Sequence, residues 1–132
     1  MIQEYQVSGF RVREYEELRS TNTEAERVGW DELEDKMVIL TYKQTQGRGQ
    51  VGNHWESEPG KNISMTVVFK PRELPAGQQF AVSMVIALGA CDFISRYVAG
   101  CTVKWPNDIY VGNKKISGIL IEHAIMGAYV GG

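Results

Sequence analysis

The sequence predicts one domain of interleaved strands and helices, and three stretches carry that expectation. Met37-Val38-Ile39-Leu40-Thr41-Tyr42 is a short apolar run of β-prone residues. Ile63, Met65, Val67 and Phe69 alternate with Ser64, Thr66, Val68 and Lys70, which is the period of a strand. From Gly77 to Val98 the period lengthens. Phe80, Met84, Ala87, Leu88, Cys91, Ile94 and Val98 recur at spacings of three and four, as on one face of a helix. At 132 residues the chain is long enough to bury a core in a single domain.

The elements follow in order. Phe10, Val12 and Glu14 alternate with Arg11, Arg13 and Tyr15, so residues 10–18 are expected as a strand. Ser20-Thr21-Asn22-Thr23 precedes Glu24-Ala25-Glu26 and marks a helix start, with either Thr21 and Glu24 or Thr23 and Glu26 as a capping box. The helix is expected from Asn22 to Val28, ended by Gly29. Four hydroxyl or amide side chains exceed what one cap uses. The surplus suits a polar ligand at the positive end of the helix.

Residues 30–35 cross the surface, and residues 37–42 are expected as a central strand delivering the chain into a glycine-rich loop. The strand at 63–70 is ended by Pro71 and Pro75. The long helix is expected to pack on a sheet with its Met and Phe stripe in the core. Thr102-Val103-Lys104 reads as a short strand, and Trp105-Pro106-Asn107-Asp108 as a turn. Residues 109–111, a Gly112-Asn113 turn and residues 115–122 read as a hairpin. Lys114 and Lys115, just after its turn, are expected on opposite faces. Gly118 within the strand predicts close approach by a ligand or another backbone.

Chemistry concentrates in Gln44-Thr45-Gln46-Gly47-Arg48-Gly49-Gln50-Val51-Gly52-Asn53-His54-Trp55. Three glycines within six residues let a ligand approach the backbone. Arg48 adds a planar, permanently charged fork suited to carboxylate or phosphate, and Trp55 a flat apolar face. The loop reads as a holder of a small acid or nucleotide, or equally as a glycine-rich surface loop with one solvated arginine. A strand entering a glycine loop suggests phosphate-binding folds. The G-x-x-x-x-G-K-[ST] pattern is absent, and the P-loop and dinucleotide-binding readings are set aside. In Lys104-Trp105-Pro106-Asn107-Asp108 a cation, an indole, an amide and a carboxylate fall within five residues, beyond what a polar turn uses.

Composition narrows the classes. The 43% hydrophobic and 23% charged content is that of an ordinary soluble domain, and a net charge of −2 gives no general attraction to nucleic acid or to an anionic membrane. No apolar run reaches the roughly 18 residues that read as a membrane span. Met1-Ile2-Gln3-Glu4-Tyr5 lacks the basic and apolar regions of a secretory signal. Cys91 and Cys101 form no CxxC and read as buried small residues of a cytoplasmic protein. His54 and His123 lack ligand-spaced partners, so no metal site is expected.

Four segments stand together in order: Ser20-Thr21-Asn22, Gly47-Arg48-Gly49-Gln50-Val51-Gly52-Asn53-His54-Trp55, Lys104-Trp105-Pro106-Asn107-Asp108, and Lys115-Ile116-Ser117-Gly118-Ile119-Leu120-Ile121-Glu122. Together they resemble the catalytic domain of biotin–protein ligases, over a stretch from Phe10 to Glu122. The resemblance implies the α/β class: a mixed, largely antiparallel sheet with helices mainly on one side. It implies that biotin and Mg-ATP (hence Mg2+) give biotinyl-5′-AMP and pyrophosphate. The adenylate then acylates a lysine of a biotin carboxyl carrier protein, as in acetyl-CoA carboxylase. By the same resemblance Ser20, Thr21, Asn22 and Gln44 bind biotin, and Gly47, Arg48, Gly49 and Gln50 close over biotin and the adenylate. Lys115 contacts the reacting carboxylate and α-phosphate. Trp55 and the Trp105-Pro106-Asn107-Asp108 segment lie toward the adenosine, Lys104 is expected among the substrate-binding residues, and Gly118 belongs to the Lys115 motif. Lys115 and Arg48 are the expected catalytic residues.

Two departures from the family pattern stand out. Gln50 occupies a position where the family often has a second arginine. The stretch Ala124-Ile125-Met126-Gly127-Ala128-Tyr129-Val130-Gly131-Gly132 does not look like the family's usual glycine-rich continuation, helices and C-terminal barrel. Its four apolar residues beyond alanine suffice for a short added strand. The chain is therefore expected as a partial catalytic domain without helix-turn-helix or barrel, and an uncovered edge makes a homodimer an expectation. Two other classes stay open: a binding-only module that holds biotin or its adenylate, and a lipoate-type acyl-protein ligase.

Overall fold

A computed structural model describes residues 2–49, 54–70, 79–105, 107–124 and 127–131. They belong to two compact units, one formed by Met1–Arg72 with Leu120–Gly132 and the other by Glu73–Ile119. Both are built of antiparallel-rich sheet with one helix each, the mixed α/β class expected.

The first unit is built on a six-stranded sheet. Its strands are β1 (Gln3–Val7), β2 (Phe10–Tyr15), β3 (Met37–Thr41), β6 (Ser64–Phe69), β10 (Leu120–Ala124) and β11 (Gly127–Gly131), in the spatial order β1-β2-β3-β6-β11-β10. Among the described strands of this sheet, β2 and β3 pair in parallel and the others antiparallel; the helix α1 (Thr21–Val28) belongs to the crossover between β2 and β3. β1 escapes the sequence pattern because it is a largely exposed, polar edge strand. It joins β2 through Ser8 and Gly9, both at positive φ, as a tight hairpin turn requires. The strand expected at 10–18 ends at Tyr15.

All five residues of β3 are buried, which is why Met37–Thr41 is nearly continuous apolar sequence. Ala25, Leu33, Met37, Ile39 and Val68 pack together under α1, and Val12, Val38 and Leu40 form a second cluster. β6 keeps the predicted period of two, but its buried positions are Ser64, Thr66 and Val68, while Met65 is exposed. Two hydroxyls thus lie inside, beneath the start of α1. A two-stranded ribbon of β4 (Gly47–Arg48) and β5 (His54–Trp55) completes this unit.

Residues 127–131 of the tail form a strand, as its composition allowed, but that strand adds inside the sheet. β11 pairs with both β6 and β10, so β10 forms the edge. The hairpin expected to run through 115–122 instead ends at Gly118. Its residues 120–122 belong to the other sheet.

In the second unit α2 (Gln79–Ser95) packs on β7 (Cys101–Lys104) and β8 (Asp108–Val111), which pairs with β9 (Lys114–Gly118) across the predicted Gly112-Asn113 turn. The register shift leaves Ile116 as the extra residue of a bulge. The stripe expected in the core is not buried as a whole. Ala87 is buried and Cys91 and Ile94 partly so, but Phe80, Met84, Leu88 and Val98 are exposed. The physical reason is that α2 is apolar on nearly every side while its own unit offers it two strands to pack on. Cys91 and Cys101, expected to be buried, are partly buried free thiols with Sγ atoms 3.1 Å apart, linking α2 to β7. Among the described residues no helix is long and apolar enough to cross a membrane.

Candidate functional site

The first constellation starts at the N-terminus of α1. The segment 43–46 runs alongside residues 18–19 through Leu18 N to Lys43 O (3.1 Å), Thr45 N to Leu18 O (3.0 Å) and Gln46 N to Arg19 O (2.7 Å). These bonds fix the glycine loop beside Ser20-Thr21-Asn22. Ser20 is the N-cap: its backbone is extended and its Oγ accepts from Thr23 N at 3.3 Å. Neither expected capping box forms, since the cap lies one residue before Thr21. Glu24 turns instead to Arg27 and Tyr15. The Thr21 N–H, which a helix start leaves without an internal partner, donates to Gln44 Oε1 at 3.0 Å.

Ser20, Thr21, Asn22, Gln44 and Thr66 are all buried, so each polar atom there needs a partner. Thr66 Oγ1 on β6 bridges Thr21 Oγ1 (2.8 Å) and Asn22 Oδ1. One hydroxyl hydrogen cannot serve both. The amide oxygen is acceptor-only, so Thr66 donates to Asn22, and Thr21 donates to Thr66. The Asn22 amide then presents Nδ2 to Glu122 Oε1 at 2.9 Å. The same carboxylate oxygen accepts from Arg48 Nη2 at 2.8 Å, and Arg48 Nη2 also reaches Glu26 Oε1 at 3.0 Å. Burial pushes the Glu122 carboxyl up and neighbouring Glu26 adds to this, while Asn22 and Arg48 act the other way. Both hydrogens of one arginine nitrogen are thus spent on carboxylates.

Gly47 explains one glycine of the loop. A Cβ there would lie 2.3 Å from the Trp55 carbonyl oxygen, 2.6 Å from Gln44 Nε2 and 3.1 Å from Trp55 Cβ. The residue is glycine because protein, here Trp55 and Gln44, packs on it. Gly47, Gly49 and Gly52 do fall at G-x-G-x-x-G spacing, so spacing alone does not set the dinucleotide reading aside. The next described residues do: His54–Trp55 return as β5, a strand beside β4. Gln50, with Val51 to Asn53, lies outside the described residues.

The second constellation belongs to the other unit. Lys115 Nζ lies 2.8 Å from Asp108 Oδ1, across the β8–β9 pair. The Lys104 ammonium lies 5.4 Å from the Tyr110 ring centre. Asn107 accepts the Ile119 N–H through its backbone oxygen at 3.0 Å, and Gly118 is the last residue of β9, opposite Asp108. Trp105 is exposed, its ring centre 4.9 Å from that of Phe80 in a T-shaped pair. Pro106 lies outside the described residues. Among the described residues no group of three or more His, Cys, Asp or Glu is placed to hold a metal ion.

The structure therefore brings together Ser20, Thr21, Asn22, Gln44, Gly47 and Arg48, and separately Lys104, Asn107, Asp108, Lys115 and Gly118. Thr66, Glu26 and Glu122 were not singled out as site residues. Glu122 closes a quoted motif, and Thr66 sits on the polar half of the clearest alternation, so both carried a signal.

Buried hydroxyl and amide side chains hydrogen-bonded to one another, beside an arginine held by two carboxylates, stand on a mixed α/β scaffold. The chain belongs to the biotin/lipoate A/B protein ligase family, whose model matches residues 15–132. The match runs through the tail, so residues 124–132 fall within the family pattern rather than outside it. The bifunctional ligase/repressor BirA of Bacillus subtilis is 28% identical over 118 residues, 89% of this chain and 36% of that protein. Biotin protein ligase from Aquifex aeolicus, solved with biotin and ATP, superposes with a TM-score of 0.76 at 26% identity, over 91% of this chain and 50% of that one. Biotin acetyl coenzyme A carboxylase synthetase from Helicobacter pylori, solved with biotinylated ATP, gives 0.73 and 26%, over 91% and 58%. The chain spans about a third of the length of the curated relative and about half of the solved structures. It is a partial catalytic domain.

Proposed function

We propose that this chain carries the biotin-activating part of a biotin–protein ligase. The observation that supports it most is the buried hydrogen-bonded floor of Ser20, Thr21, Asn22, Gln44 and Thr66 next to Arg48. Biotin's ureido ring carries N–H donors and a carbonyl that need partners in an otherwise apolar setting. The dithiolane of lipoate has no N–H or carbonyl group, and a floor of this polarity would gain little from it.

In the first step a biotin carboxylate oxygen attacks the α-phosphorus of Mg-ATP. The bond to the β-phosphate breaks, and pyrophosphate leaves. In the second, the amine of a lysine on a biotin carboxyl carrier domain attacks the acyl carbon, and AMP departs with the bonding pair. Biotin supplies the nucleophile, so no catalytic serine or cysteine is required. The reading gives Arg48 and Lys115 the task of offsetting repulsion between two anions and of stabilising charge on the α-phosphate. Arg48 bonds Glu26 and Glu122 through Nη2, so an anionic ligand would meet its Nε and Nη1 donors. Lys115 would exchange its contact with Asp108 for the ligand's anion.

The test is incubation with biotin, Mg-ATP and a carrier domain, with pyrophosphate release and the carrier's mass read in parallel. Biotin-dependent pyrophosphate with a biotinylated carrier supports the full reading. Biotin binding without pyrophosphate assigns a binding-only module. Acylation by lipoate in preference to biotin overturns the substrate.

A further inference from the structure

Glu122 is the least expected participant in the first constellation. One of its oxygens, Oε1, accepts from two residues far apart in sequence: Asn22 Nδ2 at 2.9 Å and Arg48 Nη2 at 2.8 Å. The donors come from α1 and β4, the acceptor from β10. We propose that Glu122 is the positioning residue of this site, fixing both the Asn22 amide and the Arg48 guanidinium in the orientation a ligand meets.

The hydrogen-bond directions explain how. A carboxylate accepts only, so it selects the Nδ2 end of the Asn22 amide. The Oδ1 end then faces Thr66, which donates its hydrogen there and accepts from Thr21. The run from Thr21 through Thr66 and Asn22 to Glu122 therefore has one polarity, set by the charge at its end. The Thr21 oxygen is left with acceptor capacity at the helix start. Without Glu122 the Asn22 amide has no reason to prefer either end, and the run loses its direction. Glu122 also shares with Glu26 the two hydrogens of Arg48 Nη2, leaving the Nε and Nη1 donors unbonded among the described residues. The fork is held by one corner, with its remaining donors available to an anion.

The inference rests on the biotin-ligase reading for its ligand but not for its geometry, and the test separates them. Three proteins are compared: parent, Glu122→Ala and Glu122→Gln. Glutamine keeps an acceptor oxygen, so it retains the direction of the run. In the ligand-free state, NMR exchange of the Asn22 side-chain amide protons is measured. They should be protected in the parent and in Glu122→Gln, and exchange at least tenfold faster in Glu122→Ala. Biotin binding by calorimetry should weaken by about tenfold in Glu122→Ala and by no more than about threefold in Glu122→Gln, the converted value being about 1.4 kcal/mol per tenfold. Unprotected Asn22 protons in the parent, or equal protection in a folded Glu122→Ala, overturn the positioning role. So does a parent-like biotin affinity in Glu122→Ala. If Glu122→Ala fails to fold, loss of Asn22 protection in Glu122→Gln equally overturns it. A parent with protected Asn22 protons but no biotin binding sinks the ligand reading and leaves the positioning role standing on the exchange result.

Discussion

Replacing Gly47 by alanine would put a methyl group 2.3 Å from the Trp55 carbonyl oxygen and 2.6 Å from Gln44 Nε2. The side-chain amide can rotate away. The carbonyl cannot, because it belongs to the β4–β5 ribbon in which Gly47 faces Trp55. Relief therefore requires the ribbon to open or Gln44 to leave the Thr21 N–H it accepts at 3.0 Å. Overpacking of this kind costs about 1–3 kcal/mol. Losing the hydrogen bond to a buried N–H adds about 1 kcal/mol. A loss of roughly 2–4 kcal/mol should lower Tm by about 6–20 °C in a chain of this size. The same displacement removes Gln44 from the polar floor, so biotin binding should fall with it. Gly89→Ala is the control: it lies within α2 and nothing is within 4 Å of its Cβ. Alanine there should raise stability by about 0.5–1 kcal/mol. Thermal melts with and without biotin read both variants. A Gly47→Ala protein with the parent's Tm and biotin affinity would refute the close-packing account of this glycine.

Thr66→Val removes the buried hydroxyl that joins Thr21 to Asn22 while keeping the shape. It should cost about 1–3 kcal/mol, read by urea unfolding, and weaken biotin binding; a neutral substitution would mean the bridge is not used. Lys115→Ala should cut biotinyl-adenylate formation by roughly 10²–10³-fold, the loss seen when a preorganised donor is removed. Its fold should survive, because its pair with Asp108 is about a third exposed and such pairs are worth about 0–1 kcal/mol; near-parent pyrophosphate release would reject the role. Glu24 is held below its usual range, first by the Arg27 hydrogen bond. The depressed pKa means its contribution is present above the ordinary carboxylate value of 4.5 and is lost as pH falls through the folded-state value. The Tm gap between parent and Glu24→Gln should therefore be largest near neutrality and shrink as pH falls below the ordinary value of 4.5; a gap independent of pH would contradict the pairing.

The sequence by itself determined the elements whose signal is local. Period-two alternation at 63–70, the apolar run at 37–42, the three-and-four spacing of α2 and the Gly112-Asn113 turn each follow from rules acting within a few residues. It also determined the motif residues, since Ser20 to Asn22, the glycine loop and the Lys115 segment are legible as residue types in order. Tertiary structure alone decided which faces are buried. β6 buries Ser64, Thr66 and Val68 because α1 stands over that side, whereas α2 leaves Phe80, Met84 and Leu88 exposed because its own unit covers a narrow strip of it. Sheet order is equally non-local: nothing in residues 127–131 states that they enter between β6 and β10. The same holds for Glu122, exactly 100 residues from Asn22 and 74 from Arg48. Only the fold brings one carboxylate to both donors, because a hydrogen bond depends on a distance of about 3 Å in space and leaves no periodic trace along the chain.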